Sequence, residues 1–340
     1  MRKGTHKAMQ HRLILVMAVI LVAAFIISFA LGRYPVPVID VVKILLRRYL
    51  RLPLSITWDA TMETAVCNVR LPRILLACMV GCALSAAGCA YQSVFQNPMA
   101  SPDILGASSG AGFGAALAIL FGAHSVTITV MAFCFSLFSL LLVYVIGNQM
   151  HGRRTVSLLL AGVMIGSLFS SGTSYLKLVA DPANELPAIT YWLMGSLSGT
   201  KIRQVGTALP AMAFGVLILL LLRWRMNLLT IEEAEARSMG VNVPRLRMAV
   251  ILAATLLTAA AVSHSGMIGW VGLVVPNLCR RVTGADNRYL MPVSMLAGAV
   301  FLLIVDDVSR NLLPVEIPIG ILTAFIGAPF FLYLMTRKER

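Results

Sequence analysis

Charge is scarce in this chain. Asp, Glu, Lys and Arg make up 12% of its 340 residues, about half the share usual in soluble domains, and the mean hydropathy is +0.85. Water is therefore excluded as its main solvent. Acid is the scarcer sign, with 14 carboxylates against 28 lysines and arginines. The basic residues sit in short clusters between apolar runs rather than along one stripe, which excludes a nucleic-acid footprint and matches the topology signals of membrane proteins. The six cysteines (Cys67, Cys78, Cys82, Cys89, Cys134, Cys279) contain no CxxC pair. Most lie inside apolar runs, where cysteine behaves as a small hydrophobe, so neither a disulfide framework nor a metal site follows.

Nucleotide-binding and catalytic signatures are missing as well. Gly110, Gly112 and Ala115 fit G-x-G-x-x-A in letters, but a dinucleotide fingerprint belongs in a βαβ unit and no strand precedes it. In residues 195–201 (GSLSGTK) the first glycine stands one residue too close to the GTK for a phosphate-binding loop. The chain is not expected to bind a nucleotide or any other cofactor itself. His124 and His151 are far apart and His264 has no partner pattern around it, which argues against an intramembrane enzyme and leaves no catalytic residue to nominate.

What the sequence does have is length in its apolar runs. They fall near 13–32, 74–94, 104–122, 126–147, 156–178, 206–222, 248–265, 267–283, 290–308 and 318–335, and they are too long and continuous for barrel strands. The expected fold is an all-α membrane protein, a polytopic bundle of about ten transmembrane helices forming a single domain over 1–340. The first run follows Arg2, Lys3, Lys7 and Arg12 in the manner of a signal peptide, but it is long enough to span about 30 Å of hydrocarbon and reads as a retained helix. An even number of spans puts both termini on one side. Placing that side in the cytoplasm assigns 17 of the 28 lysines and arginines to inner segments, in the N-tail, at 153–154, 223–247 and 280–288, and in the C-tail.

Most of the opposing charge lies between Arg33 and Arg73, where residues 38–50 (VIDVVKILLRRYL) predict a short amphipathic helix on the outer face. Gly106, Gly110 and Gly114 recur every fourth residue and so offer one face to a closely packed neighbour, and Gly81 with Ser85 offers a weaker version. The largest polar insertion on the inner side is 227–243 (NLLTIEEAEARSMGVNV). Thr230 and Glu233 read as a capping box, Glu233 can pair with Arg237, Gly240 suits the C-terminal cap, and Pro244 follows. A helix of about ten residues is marginal alone, so a cytosolic partner is expected to cover it.

This insertion resembles the coupling helices of the FecCD-type bacterial permeases, the transmembrane subunits of type II ABC importers for ferric siderophores, haem and cobalamin. The resemblance runs from about Arg70 to the C-terminus through 70–73 (RLPR), 96–106 (QNPMASPDILG), 160–163 (LAGV), 191–195 (YWLMG), 229–240, 272–276 (GLVVP), 316–320 (EIPIG) and 327–330 (GAPF). It departs where relatives often carry histidine and this chain has Asn277 and Asn287.

The resemblance implies an inner-membrane permease subunit with no chemistry of its own, working with two ATPase subunits that hold ATP and magnesium. It also implies a second permease, identical or a close paralogue, and a periplasmic or lipid-anchored substrate-binding protein. It implies that Arg70, Arg73 and Arg310 receive acidic residues of the binding protein at the outer mouth, where the loop-charge topology also places them. Glu232, Glu233, Glu235, Ala236, Arg237 and Gly240 would form the ATPase-docking surface, and Asn97, Met99, Thr155 and Val156 would gate the inner end of the pathway. Asp103, Asp306 and Asp307 are intramembrane carboxylates and so functional candidates, with Asp306 read as a helix-end partner of Arg310 at i,i+4. The rival reading is an ion-coupled secondary transporter, which would need a midplane ion site and would not need the capped inner helix. The cargo stays open among ferric siderophore, haem, cobalamin and oxyanions such as molybdate.

Overall fold

Each of the ten apolar runs is occupied by a helix in the computed structural model, which describes residues 2–336 except Arg33, Leu54, 151–153 and Glu232, and omits the side chains of 2–8, Arg154, Thr155, Glu233, Ala234, Leu334 and Met335. Expectations placed on Glu232, His151, Arg153, the basic residues 337–340 and the Thr155 and Glu233 side chains therefore lie outside the described residues. In chain order the helices are α1 (Arg2–Ala30), α2 (Val38–Leu50), α3 (Ala60–Thr64), α4 (Leu71–Phe95), α5 (Ala107–Leu120), α6 (Ser125–Gln149) and α7 (Arg154–Val179). They continue with α8 (Glu185–Met194), α9 (Ile202–Met226), α10 (Glu233–Ser238), α11 (Val243–Ser265), α12 (Val271–Thr283), α13 (Asn287–Asn311) and α14 (Ile319–Thr336).

Seven of these are long and apolar enough to cross a bilayer: α1, α4, α6, α7, α9, α11 and α13. The other three of the expected ten are shorter. Helix α5 has 14 residues and α12 has 13, about 20 Å at 1.5 Å per residue against a hydrocarbon core of about 30 Å. Composition marked α5, α12 and α14 as apolar; the breaks that precede α5 and α12, where the backbone turns at Gly106 and Trp270 with positive φ, are what shorten those two.

Side-chain pairings set the direction of each helix. Gln10 bonds the carbonyl of Thr283 and His11 meets Tyr289 edge to face, while Ser28 meets Asp307, so α1 and α13 run parallel. Helix α4 runs against them, with Arg73 at the level of Asp306 and Ser93 at the level of Asn287. Helix α14 turns back from α13 through the 309–317 link, which brings its C-terminal end to the face where α1 begins. That terminal face carries the 96–101 turn and α10; the opposite face carries α2, α3 and the arginine cluster described below.

Helix α4 is the axis of the bundle. Twenty of its residues are buried, because α13, α11, α12 and α9 all pack on it. The approach to α13 is close enough to require glycine on both sides, since a Cβ on Gly81 would stand 2.2 Å from the Gly298 carbonyl oxygen. The expected small-residue face of α5 is also used: a Cβ on Gly110 would lie 2.6 Å from the Phe135 oxygen and one on Gly114 2.5 Å from that of Met131, both on α6. Residues 38–50 do form an amphipathic helix, α2, burying Val41 and Ile44 and leaving Arg47 and Arg48 exposed.

Between α3 and α4, residues Ala65–Arg70 form a π-helical turn. Pro72 explains it, since its ring has no N–H to give and would collide with the carbonyl four residues back in an α-helix; the wider turn removes the collision. One consequence is that Arg70 and Arg73 are re-aimed into the bundle.

Candidate functional site

The inner segment expected to be one helix is two pieces. Residues Asn227–Thr230 continue off α9 as a 3-10 turn closed by the Thr230 hydroxyl donating to the Asn227 carbonyl (2.7 Å), and α10 begins only at Glu233. Thr230 therefore precedes the first helical residue by three positions, too early for the capping box the sequence suggested. The C-terminal end is as expected: Gly240 takes φ +78°, its N–H bonds the Arg237 carbonyl (2.9 Å), and the N–H of Val241 reaches back to Ala236 (3.2 Å). This is a Schellman cap. Ala236 is fully buried against the bundle, while Glu235, Arg237, Ser238, Met239 and Gly240 are exposed.

Three side chains that sequence reasoning did not nominate tie this segment to the bundle. Gln96, at the end of α4, donates to the Leu229 carbonyl. Asn227 donates to the carboxylate of Asp286 (2.7 Å) and accepts the N–H of Asn287 (2.8 Å) at the start of α13. Asn242 caps α11 by accepting the N–H of Arg245 (3.1 Å). Asn287 was visible beforehand only as a departure from the family pattern; here its side-chain oxygen accepts the Ser93 hydroxyl of α4 (3.0 Å).

Asn97, Met99 and Val156, expected from the resemblance to gate the pathway, are brought to the same face. Asn97 closes an Asx turn by accepting the N–H of Met99 (2.9 Å), and Met99 is exposed. Val156 is exposed near the start of α7. Asn97 borders a polar pocket of about 520 Å³ that also takes in Thr230, Asn277, Arg280 and Phe331 of α14. Asn277 donates to the Pro98 carbonyl (2.8 Å), and Arg280 donates to Asn277 and Gln92 (2.8 and 2.7 Å), so α12 braces the 96–101 turn.

The three arginines expected at the outer mouth do meet, on the opposite face, but as a buried network. Their exposures are 4%, 6% and 7% for Arg70, Arg73 and Arg310. Arg73 Nε donates to both oxygens of Asp306 (3.0 and 3.1 Å), and its Nη1 donates to both oxygens of Glu316 (2.9 and 3.0 Å). Arg310 bonds Asp307 and the Ser28 hydroxyl and carbonyl (2.7 and 2.8 Å). Arg70 donates to the carbonyls of Phe29 and Tyr34. Asp306 was expected to pair with Arg310; the separation there is 4.0 Å, and its hydrogen bonds come from Arg73. Three arginines and three carboxylates make the group formally neutral, which is how so many charges can be buried together.

Between the two faces lies a layer of broken helices. The Ile319 N–H bonds the Gly195 carbonyl (2.9 Å) and the Ser196 N–H bonds the Ser265 carbonyl (2.8 Å), so the C-terminal ends of α8 and α11 meet the N-terminal end of α14. Irregular backbone at membrane depth is tolerated where it lines a cavity, and a groove of about 670 Å³ opens there, bordered by Met194, Met267, Trp270, Phe325 and Asp103. His264 meets the Ala260 carbonyl and the Thr207 hydroxyl (2.9 and 3.1 Å).

The sequence model of the FecCD transport family matches residues 20–337. Among curated proteins, the chain is 38% identical to the molybdate import system permease protein MolB of Haemophilus influenzae, over 95% of each. It is 42% identical to the cobalamin import system permease protein BtuC of Halobacterium salinarum, over 84% of this chain and 77% of that one. It is also 36% identical to the hemin transport system permease protein HmuU of Yersinia pestis, over 85% and 90%. A solved structure described as an inward-facing conformation of a metal-chelate type ABC transporter superposes with a TM-score of 0.84 at 36% identity, covering 96% of this chain and 99% of that one.

Proposed function

The chain belongs to the FecCD transport family, and from that premise we propose that it is the permease through which a bulky metal compound, an iron chelate first among the candidates, enters the cytoplasm. It is a permease subunit of an ABC importer and not an enzyme; hydrolysis belongs to a separate ATPase subunit. In the reading proposed here it acts as one transmembrane domain over its whole length, in an inner membrane, with the terminal face and both termini in the cytoplasm. Two ATPases dock on that face. A second permease, identical or closely related, completes the pathway, and a binding protein delivers cargo to the opposite face.

The observation that carries this reading is the attachment of α10. Its buried Ala236 seats it on the bundle, and the Asn227, Gln96 and Asn242 bonds connect the segment to α13, α4 and α11. Those are three of the most heavily packed helices of the bundle. An ATPase gripping the exposed Glu235, Arg237 and Gly240, with Glu232 and Glu233 beside them, would pull on α4 and on the Asn97 to Met99 turn through Gln96. With Thr155 and Val156 across the mouth, that turn is the gate. Coupling is then mechanical, because a short rigid element transmits the ATPases' closure into helices with two packed arrangements.

Arg70, Arg73 and Arg310 enter this proposal differently from a contact surface. Buried as they are, they hold the end of α1, the top of α4 and the α13–α14 link in one frame, and the binding protein would dock on the rim that frame supports. The test is uptake by vesicles containing this chain with its ATPase and binding protein, given iron-55 siderophore, haem or cobalamin. Proline at position 240 can neither adopt φ +78° nor donate the bond to Arg237. Gly240→Pro should therefore abolish ATP-driven uptake while the subunits still assemble. Uptake that survives the substitution, or that follows a proton gradient without ATP, would favour the ion-coupled transporter.

A further inference from the structure

Two arginines on the terminal face have no task in the transport reading. Arg225 stands in the last turn of α9 and Arg245 in the first turn of α11, and both border one pocket of about 530 Å³ between those helix ends. Both are exposed, and among the described residues neither side chain has a hydrogen bond or an ion pair. Asp286, at the head of α13, is taken up by the Asn227 amide and the Arg288 N–H. Arg245 also stands against the local field: a helix N-terminus favours negative charge, yet the first turn of α11 holds no acid and presents this cation instead. The pocket therefore gathers positive charge from two side chains and one helix end. The rest of its wall is mostly apolar, with Leu228, Met239, Leu246 and the indole of Trp224.

Trp224 also fixes what the pocket opens towards. Phe214, Leu217, Leu221 and Trp224 recur every three or four residues along α9 and all are exposed, so they form one apolar stripe on a membrane-spanning helix, the side that meets lipid tails. Trp224 ends that stripe and borders the pocket, with the Arg288 guanidinium 5.6 Å over its ring. Tryptophan and arginines together at the end of a span mark the level of the headgroups.

We propose that this pocket seats the phosphate of an anionic phospholipid between Arg225 and Arg245, with the glycerol region on Leu228 and Leu246 and an acyl chain along the α9 stripe. Forked guanidinium donors match phosphate oxygens, and a basic pocket between helix ends at a membrane surface suits a negatively charged headgroup. A free phosphate would leave the apolar wall unused. A zwitterionic lipid would bring a second cation into a pocket whose charged lining is basic. Because Met239 and Gly240 of the link leaving α10 border the same pocket, a bound lipid would hold that segment against the bilayer. The binding claim goes beyond the transport reading and needs only that the chain spans a membrane; the consequence for the α10 segment rests on that reading.

The test is lipid binding by the full chain in dodecyl maltoside, without ATPase, read as quenching of tryptophan fluorescence by brominated phosphatidylglycerol against brominated phosphatidylcholine. The anionic lipid should bind about tenfold more tightly. Arg225→Gln combined with Arg245→Gln should remove that preference, whereas Arg203→Gln at the opposite end of α9 should leave it intact. Trp224→Phe should remove most of the quenching specific to phosphatidylglycerol, and glycerol 3-phosphate should not displace the lipid. The inference is overturned if both lipids quench alike, if the double variant keeps the preference while eluting as a folded protein, or if Trp224→Phe leaves the specific quenching unchanged. Displacement by glycerol 3-phosphate would make this a free-phosphate site, and displacement by added ATPase would make it part of a protein interface; either result also overturns the inference. ATP-driven uptake separates the two claims, since its absence for every metal compound sinks the importer reading alone, and a lost lipid preference sinks the lipid site alone.

Discussion

Arg73 is the position where burial makes the sharpest prediction. Its guanidinium spans two carboxylates, Asp306 with no exposed side-chain surface and Glu316 at 29%. Replacing it with glutamine keeps much of the volume but leaves Asp306 ionised in the bundle with only Arg310, 4.0 Å away, as a counter-charge. Removing one member of a buried pair costs about 3–5 kcal/mol, mostly from the charge left behind; Glu316, partly open to solvent, adds little. Arg73→Gln should therefore destabilise the protein by about 3 kcal/mol, a factor of about a hundred in the folded fraction. Adding Asp306→Asn removes the orphaned charge, so the double variant should recover about 2 kcal/mol of that loss. The assay is unfolding of the purified chain in mixed dodecyl maltoside and SDS micelles, completed as a double-mutant cycle. A cost below about 1 kcal/mol for Arg73→Gln, or the same cost with Asp306 neutralised, would refute the buried-frame account. It would favour instead an exposed arginine touching the binding protein, whose loss changes stability by under about 0.5 kcal/mol.

Two further outcomes follow from particular contacts. Gly81→Ala places a methyl 2.2 Å from the Gly298 carbonyl oxygen, and since the obstacle is backbone, α4 and α13 must part. A loss of about 1–3 kcal/mol is expected, against almost none for alanine at Gly206, which has open space around it; thermal unfolding in detergent compares them. In the α7–α8 turn, the Ala183 N–H and the Asn184 side chain hold the Asp181 carboxyl below its ordinary range. A lowered carboxyl pKa means its contribution is complete above the ordinary value and is lost as pH falls through the lowered one. Exchange of the Ala183 amide, corrected for its intrinsic pH dependence, should therefore accelerate only in acid, and Asp181→Asn should exchange faster at neutral pH.

Much of the architecture was legible because the bilayer is a demanding solvent. Runs such as 126–147 and 290–308 have to be helices once lipid surrounds them, and their number and the loop charges follow without knowledge of packing. The cap at Gly240 and the small face of Gly110 and Gly114 were legible for a related reason: each depends on residues within a few positions of one another. The boundary of α10 was misjudged at Thr230 because α9 continues into its own 3-10 turn, and nothing in the local pattern marks where one helix hands over to the next.

What the fold alone decided involves partners distant in sequence. Arg73 meets Asp306 across 233 positions, and Gln96 meets Leu229 across 133. The sequence marked Arg70, Arg73 and Arg310 as basic residues on the outer side, where hydration would be cheap, but only the crossing of α1, α4 and α13 shows that each is surrounded by acceptors and withdrawn from the surface. Asp103 went the other way, listed by sequence among three intramembrane acids and singled out by structure as the one facing a groove. Composition and periodicity determine that this chain lives in a membrane as a helical bundle, because those properties are summed along the chain. Which of its few charges are neutralised is decided by distance in space, and that the sequence does not encode locally.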